Sequence, residues 1–517
     1  MIGSFCVTAA LLLGAPAEPA QGAGGPSIGR RFIESSQPQV VAPGGYSRQA
    51  PANTARPIDL AIADGLDWVE VEVRRTKDGQ HVAFDADKID NLTSGTGAVR
   101  EHTLAELTAL DAGSWFARRF ADARILSLAQ CLELTKDRIG LIVVCRDVDP
   151  EVLVREIQAS GVGQRVLISA DDATLRRIGE LSEGKIPLLA RGQAGGKIKS
   201  WVADLKPSVV AVDFPDASAE VCREFHALNV SVLVDTTSED KSDRWQRAIA
   251  ANADIVRTNL PEEFVVCAIG QATSQLATNR SVQYAAHRGA SRYAPENTRL
   301  SLDKAVRLKA DYVEIDVHTT SDSGFFLLHD GTLDRTTNGH GPVRRSTSES
   351  LRGLDAGSWF GLPYKKTPVP ELDEYLAKFP PQTQLYFDAK DITPEALAAA
   401  VARHGLVERT IVYQGPVYLE KLRAINAKIR TLPPVAAQSH VDTLAKRIQP
   451  YGVDAKWTLV TREFVDHCHK LGVKVFSDAP SGLDVDAYRR ALATGIDVIQ
   501  TDHPLRLWRA IERGPIE

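Results

Sequence analysis

Asp311–Thr320 reads DYVEIDVHTT, and Asp67–Thr76 reads DWVEVEVRRT, 244 positions earlier. Both runs are rich in β-branched and aromatic residues, the composition of a strand. Strand side chains repeat every two residues, so Glu314 and Asp316 share one face, as do Glu70 and Glu72. The same spacing pairs Ala286–Thr298 (AHRGASRYAPENT) with Ala42–Thr54 (APGGYSRQAPANT). It also pairs LDAGSWF at Leu354–Phe360 with the identical LDAGSWF at Leu110–Phe116. Near the end, IDVIQTDHP from Ile496 matches ADIVRTNLP from Ala253, one position closer. A single deletion over so long a match means two copies of one domain.

Each copy alternates β-rich runs with helical patterns, and this alternation predicts a parallel sheet covered by helices. In the second copy the strands expected are 282–286, 312–318, 325–328, 385–388, 410–413, 473–476 and 497–501. Helical spacing marks 300–309, 371–379, 394–404 and 487–494. About eight units per copy predict α/β architecture with two tandem TIM-type (β/α)8 barrels; an open doubly wound sheet is the alternative. The copies are placed at 38–268 and 281–511, with a polar boundary from about Gly270 to Arg280.

A chain of 517 residues has room for two such domains. With 44% hydrophobic and 25% charged residues its composition is globular, and the net charge of −5 with no basic run argues against nucleic acid. The six cysteines form no CxxC pair and no disulfide framework, and Cys145 in its apolar run reads as a buried small hydrophobe. Residues 1–25 differ: Val7–Leu13 is apolar, and Ala15-Pro16-Ala17 opens an Ala/Gly/Pro-rich stretch. That pattern predicts an export signal, although no Lys or Arg precedes it. No segment is apolar enough to span a membrane.

Function in a parallel barrel collects at the carboxyl ends of the strands. There the second copy carries His287-Arg288-Gly289, then Glu314 and Asp316, then His329-Asp330, then Asp388-Ala389-Lys390. Taken singly, each has a plain structural reading: Glu314 or Asp316 as half of a buried ion pair, His287 as a hydrogen-bonded core histidine, Asp388 and Lys390 as an edge pair. Together, three inward carboxylates are costly to bury unless paired or bound to a cation, and an all-oxygen set suits Ca²⁺ or Mg²⁺. In the first copy the matching positions are Pro43, Gly44, Glu70, Glu72, Asp85, Val144 and Arg146. The scaffold persists while its polar groups are lost, so the first copy is expected to be inactive.

Val282 to about Trp508 resembles the glycerophosphodiester phosphodiesterase family, with a decayed version over Val40 to about Val265. The resemblance rests on His287-Arg288-Gly289, Pro295-Glu296-Asn297-Thr298, Glu314-x-Asp316, Leu328-His329-Asp330, Thr336-Thr337-Asn338-Gly339 and Thr501-Asp502-His503-Pro504, in that order. It implies a TIM-type barrel that hydrolyses a small-molecule phosphodiester. His287 and His329 are then the acid/base pair, Glu314, Asp316 and Asp388 the divalent-metal ligands, and Arg288 and Lys390 the phosphate contacts. Asp388 stands where the family has Glu. Val475-Phe476-Ser477-Asp478 replaces a Trp-Thr motif, and Tyr413-Gln414 replaces a Ser-type strand end, so the alcohol end of the pocket is expected to differ. The two barrels are expected to pack as an internal pseudo-dimer. A non-catalytic scaffold or binding protein is the competing class.

Overall fold

The computed structural model describes residues 37–162, 165–192, 198–272 and 282–516. The stretch expected to direct export lies outside them, as does nearly all of the expected boundary.

The first unit runs β1 (Gln39–Pro43), β2 (Trp68–Arg75), β3 (His81–Ala83), β4 (Leu126–Ser127), β5 (Gly140–Asp147), β6 (Val166–Ser169), β7 (Leu188–Arg191), β8 (Val209–Asp213), β9 (Ser231–Asp235) and β10 (Ile255–Arg257). Eight of these strands pair in parallel, and β1 bonds to both β2 and β10, so the sheet closes. Strands β3 and β4 form an antiparallel flap on the end of β2. One apolar side chain from each barrel strand fills the interior, among them Val41, Trp68, Ile142 and Leu233. Gly140 leaves room for Trp68, since a Cβ there would lie 2.2 Å from the indole ring.

The second unit runs β11 (Gln283–Ala286), β12 (Tyr312–Thr319), β13 (Phe325–Leu327), β14 (Gln384–Asp388), β15 (Thr410–Tyr413), β16 (Arg430–Leu432), β17 (Pro434–Val435), β18 (Gly452–Ala455), β19 (Lys474–Asp478) and β20 (Val498–Thr501). Strand β11 bonds to both β12 and β20. Strands β16 and β17 are one barrel strand broken at Pro433, because prolines carry no N–H for the ladder. The barrel nonetheless closes across the break: Tyr451 N–H donates to Thr431 O at 3.1 Å and Asp454 N–H to Pro433 O at 3.0 Å. Both units are therefore TIM-type barrels, and the open-sheet alternative is excluded. The interior of the second is aromatic: Tyr312, Tyr386 and Phe476 pack edge-to-face, with Tyr312 and Phe476 at 5.6 Å. A filled interior leaves only the rim for chemistry.

One expected barrel strand is corrected. The run at 325–328 is β13, which pairs antiparallel with the overhanging end of β12 instead of joining the barrel. Two barrel strands, 430–435 and 452–455, were not anticipated. The first is split by proline, and the second, Gly-Val-Asp-Ala, is too short and too poor in strand formers to announce itself.

LDAGSWF survives in both copies because it is a self-contained turn. Asp111 Oδ1 accepts from the N–H groups of Gly113 and Ser114 at 2.8 and 2.9 Å; Asp355 Oδ1 does the same for Gly357 and Ser358 at 2.7 and 3.0 Å. Trp115 and Trp359 each donate to a carbonyl three residues back.

The units touch through like elements. Helix Pro261–Ala272 of the first and helix Pro504–Arg513 of the second pack together. Beside them Lys304 Nζ, almost sealed from water, meets Glu262 at 2.6 Å and also Glu263, and Arg307 meets Glu263 at 2.8 Å. Elsewhere Asp64, with no exposed surface on its side chain, pairs with Arg292 at 2.7 Å and accepts from Tyr293 Oη at 2.9 Å.

Candidate active site

The carboxylates converge because of register. Along β12, Tyr312, Glu314 and Asp316 face inward in turn, with Tyr312 in the aromatic plug and the two acids nearer the mouth. Asp316 lies directly opposite Asp388 on β14. Oxygens of Glu314, Asp316 and Asp388 all fall within 4.8 Å of one another. Glu314 is 3% and Asp316 1% exposed, so water screens them little. Burial, then the charge of Asp316, pushes the Glu314 carboxyl well above the usual range. Burial raises Asp388 too, against the pull of Lys390. Lys390 Nζ bridges the pair, 2.9 Å from Asp316 and in direct contact with Asp388, and these carboxylates hold it charged.

The turn after β11 brings the first histidine and arginine to the same rim. Arg288 has φ +54° and Gly289 φ +76°, so an arginine occupies the left-handed region that usually favours glycine. That conformation aims the Arg288 N–H at Glu314 Oε2, at 2.6 Å. The Arg288 guanidinium meets Glu296 at 3.0 Å and stands 3.7 Å from Asp316. His287 Nδ1 donates to Asp502 Oδ1 at 2.9 Å, and Ser291 Oγ donates to the same oxygen at 2.8 Å. Burial alone would lower the imidazole pKa; the Asp502 hydrogen bond and the charges of Glu314, Asp502 and Asp478 outweigh it and push it up to about 9.

His329 arrives on the loop after β13 and not on a barrel strand, and it is half-buried. Its Nδ1 donates to Asp330 at 2.8 Å. Asp330 receives Arg335 at 2.7 Å, and Arg335 reaches Glu296 at 2.7 and 2.8 Å. Asp330, Arg335 and Glu296 link His329 in turn to Arg288, on the same rim as the carboxylates. All seven residues singled out in the sequence thus meet at one rim.

Five supporting residues carried no role in the sequence reading. Asn297, at φ +54°, donates to Asp316 Oδ2 at 2.7 Å and accepts the Asp316 N–H at 3.1 Å, fixing that carboxylate. Asp502 orients His287, Asp330 orients His329, and Glu296 with Arg335 ties Arg288 to the His329 side. Asn297, Glu296, Asp330 and Asp502 stand inside motifs legible in the sequence; Arg335 directly precedes another. Asp454 was not signalled at all: it lies in a strand of four residues, and burial, then Asp478 and Asp388, raise its carboxyl to about 7.

A sequence profile of the glycerophosphoryl diester phosphodiesterase family matches residues 45–263 and again 287–506. The chain belongs to this family. It is a phosphoric diester hydrolase, and the scaffold alternative is set aside. Among curated relatives, a glycerophosphodiester phosphodiesterase of Caldanaerobacter subterraneus is 32% identical over 246 residues, 44% of this chain and 97% of the relative. One from Bacillus subtilis is 35% identical over 193 residues, 33% of this chain and 66% of the relative. The crystal structure of a glycerophosphodiester phosphodiesterase from Agrobacterium tumefaciens superposes with a TM-score of 0.41 at 29% identity, covering 44% of this chain and 99% of that one.

The phosphodiesterase keeps a second, altered rim on its first barrel. There Glu70 takes two hydrogen bonds from Arg257, at 2.7 and 2.8 Å, and Arg257 also meets Asp235 at 3.0 Å. Glu72 is gripped by Arg146 at 2.9 and 3.0 Å. Arginine thus neutralises both acids that remain where the second barrel concentrates unbalanced carboxylate.

Proposed function

We propose that this phosphodiesterase hydrolyses a glycerophosphodiester, or a related lysophospholipid-type diester, to an alcohol and a phosphomonoester such as glycerol 3-phosphate. The reading includes a divalent cation, Ca²⁺ or Mg²⁺, held by Glu314, Asp316 and Asp388. The observation that carries it is the cluster of three carboxylates within 4.8 Å, flanked by two imidazoles that each lean on their own carboxylate.

The donor set fits such an ion. Ionising all three acids here is costly, which is why burial and Asp316 push the Glu314 carboxyl up; a cation bound among them would offset that cost. Glu314 Oε1 and Asp388 Oδ1 accept no hydrogen bond among the described residues, so their lone pairs are available. Oxygen ligands favour a hard cation over zinc. When bound, the ion supplies Lewis acidity toward a phosphoryl oxygen.

The chain's own groups do the rest. Arg288 and Lys390 offset charge building on the phosphoryl oxygens. One histidine takes the proton of the attacking oxygen and the other returns one to the departing alkoxide. Asp502 and Asp330 accept at Nδ1 in each ring, which leaves Nε2 of both to work at the substrate. The attacking oxygen is that of water or of the substrate's neighbouring hydroxyl. The first barrel, with its acids tied to arginines, is read as inactive, and residues 1–25 as an export signal.

The test is a panel of glycerophosphodiesters with added Ca²⁺, Mg²⁺ or Mn²⁺. Activity is expected to disappear with EDTA and to fall about 10²–10⁴-fold in His287→Ala. Undiminished turnover in either case would overturn the reading.

A further inference from the structure

The rim of the second barrel opens into a cleft of about 850 Å³ that runs between the two units. On the catalytic side it is lined by His287 and Arg288; on the far side by Arg56, Arg119 and Arg124 of the first unit. Arg119 reaches across the junction. Its guanidinium lies 4.4 Å from the ring centre of Phe360 and 5.5 Å from that of Trp359, both in the second unit, and 4.7 Å from its own neighbour Phe120. The aromatic faces hold the guanidinium in place without neutralising it.

The charge balance of the far side is lopsided. Neither Arg56 nor Arg119 has a carboxylate partner among the described residues, and Arg124 bonds only to the backbone carbonyls of Ala121 and Ala123, at 3.0 and 2.9 Å. Desolvation, and then the repulsion of Arg56, push Arg119 down to about 10. The acids on the lining are mostly committed: Asp59 faces Arg138 at 3.3 Å, Glu296 holds Arg288 and Arg335, and Asp502 holds His287. On the lining, Asp122 alone is left to stand against these three cations, all of them exposed as it is; off the lining, Asp111 lies within electrostatic reach of Arg124. Three exposed arginines on one wall of a cleft shared with a phosphate-directed site, two of them with no carboxylate partner among the described residues, make that wall attractive to anions.

We propose that this cleft is a second anion subsite, which takes a further phosphate or carboxylate carried by the alcohol part of the diester. The inference rests on the proposed hydrolysis of a phosphodiester at the second barrel's rim. It makes the first barrel a contributor to substrate choice, since Arg56, Arg119 and Arg124 all come from it and none of them belongs to the set placed at the scissile phosphate. The substrates favoured are then diesters with two anionic centres, bridging the two units.

Two measurements test this and keep it apart from the reaction it rests on. The first compares kcat/KM for glycerophosphoglycerol with that for the same diester bearing a second phosphate on the far glycerol. The second is calorimetric binding of glycerol 3-phosphate against glycerol 1,3-bisphosphate, which needs no turnover. A charge-assisted contact predicts roughly tenfold or greater preference for the doubly anionic member of each pair. The preference should lie in KM, shrink as salt is raised, and fall to near unity in Arg56→Gln/Arg119→Gln. Should the stacked Arg119 prove needed for folding, Arg124→Gln, on an exposed side chain, should lower the preference by itself. Hydrolysis of both diesters with no preference and equal binding would overturn the subsite and leave the reaction intact. Arginine-dependent tighter binding of the bisphosphate without hydrolysis would keep the subsite and sink the reaction.

Discussion

His287 and His329 are held by carboxylates of different kinds. Asp330 is the immediate neighbour of His329 in the chain, whereas Asp502 reaches His287 from 215 positions away. That contact is the first of the influences raising the His287 pKa against burial. Asp502→Asn removes it, so the apparent pKa assigned to His287 in the kcat/KM profile is expected to move down, and activity to shift toward lower pH. Only pH–rate profiles of the two proteins are needed, and an unmoved limb would mean Asp502 does not tune the ring. The catalytic candidates themselves were legible because histidine and paired acids are rare at strand ends. Their orienting partners were not, because an Asp or Asn in a loop reads as turn chemistry until the fold shows what it touches.

At the scale of elements, the strands that carry the site are strong β-formers bounded by turns, and β12 with β14 fixes the register that pairs Asp316 with Asp388. The repeated LDAGSWF turn is as tightly specified. A Cβ on Gly357 would lie 1.9 Å from Tyr364 O, and one on Gly113 1.9 Å from Phe120 O; both obstacles are backbone and cannot swing away. Gly357→Ala and Gly113→Ala are each expected to cost about 1–3 kcal/mol, read from urea unfolding midpoints. Equal stability with wild type would show that the turn relaxes freely. Strand β13 was read as a strand but misplaced, because pattern reveals a strand's composition and not its direction or neighbours; the split strand β16–β17 was missed because prolines interrupt its pattern.

At the scale of the whole molecule, the junction between barrels depends on buried charge. Asp64 is held at about 2: burial would raise it, but the charge of Arg292, with hydrogen bonds from Arg292 and Tyr293, outweighs that. A depressed carboxylate contributes stability above its unfolded pKa, near 3.8, and loses it as pH falls through about 2. Asp64→Ala is expected to cost about 3–5 kcal/mol near neutral pH, because Arg292 is left buried and unpaired. That gap to wild type should narrow on acidification below pH 4; a gap constant with pH would assign the loss to packing. The second unit expressed alone, Ser281–Glu517, leaves Lys304 without Glu262 and Glu263. It is expected to melt lower than the full chain, and an unchanged Tm would show the first barrel dispensable for stability.

The sequence by itself determined the duplication, the alternation of strand and helix, and the residues rich enough in charge to be costly inside a barrel. Those are local properties, written in composition and in a period of two or 3.6 residues. Only the tertiary structure decided which strands close each barrel, that Asp502 and Asn297 steady His287 and Asp316, and that arginines of the first unit overlook the rim of the second. Such relations join residues distant in the chain, and contact across space leaves no period to read.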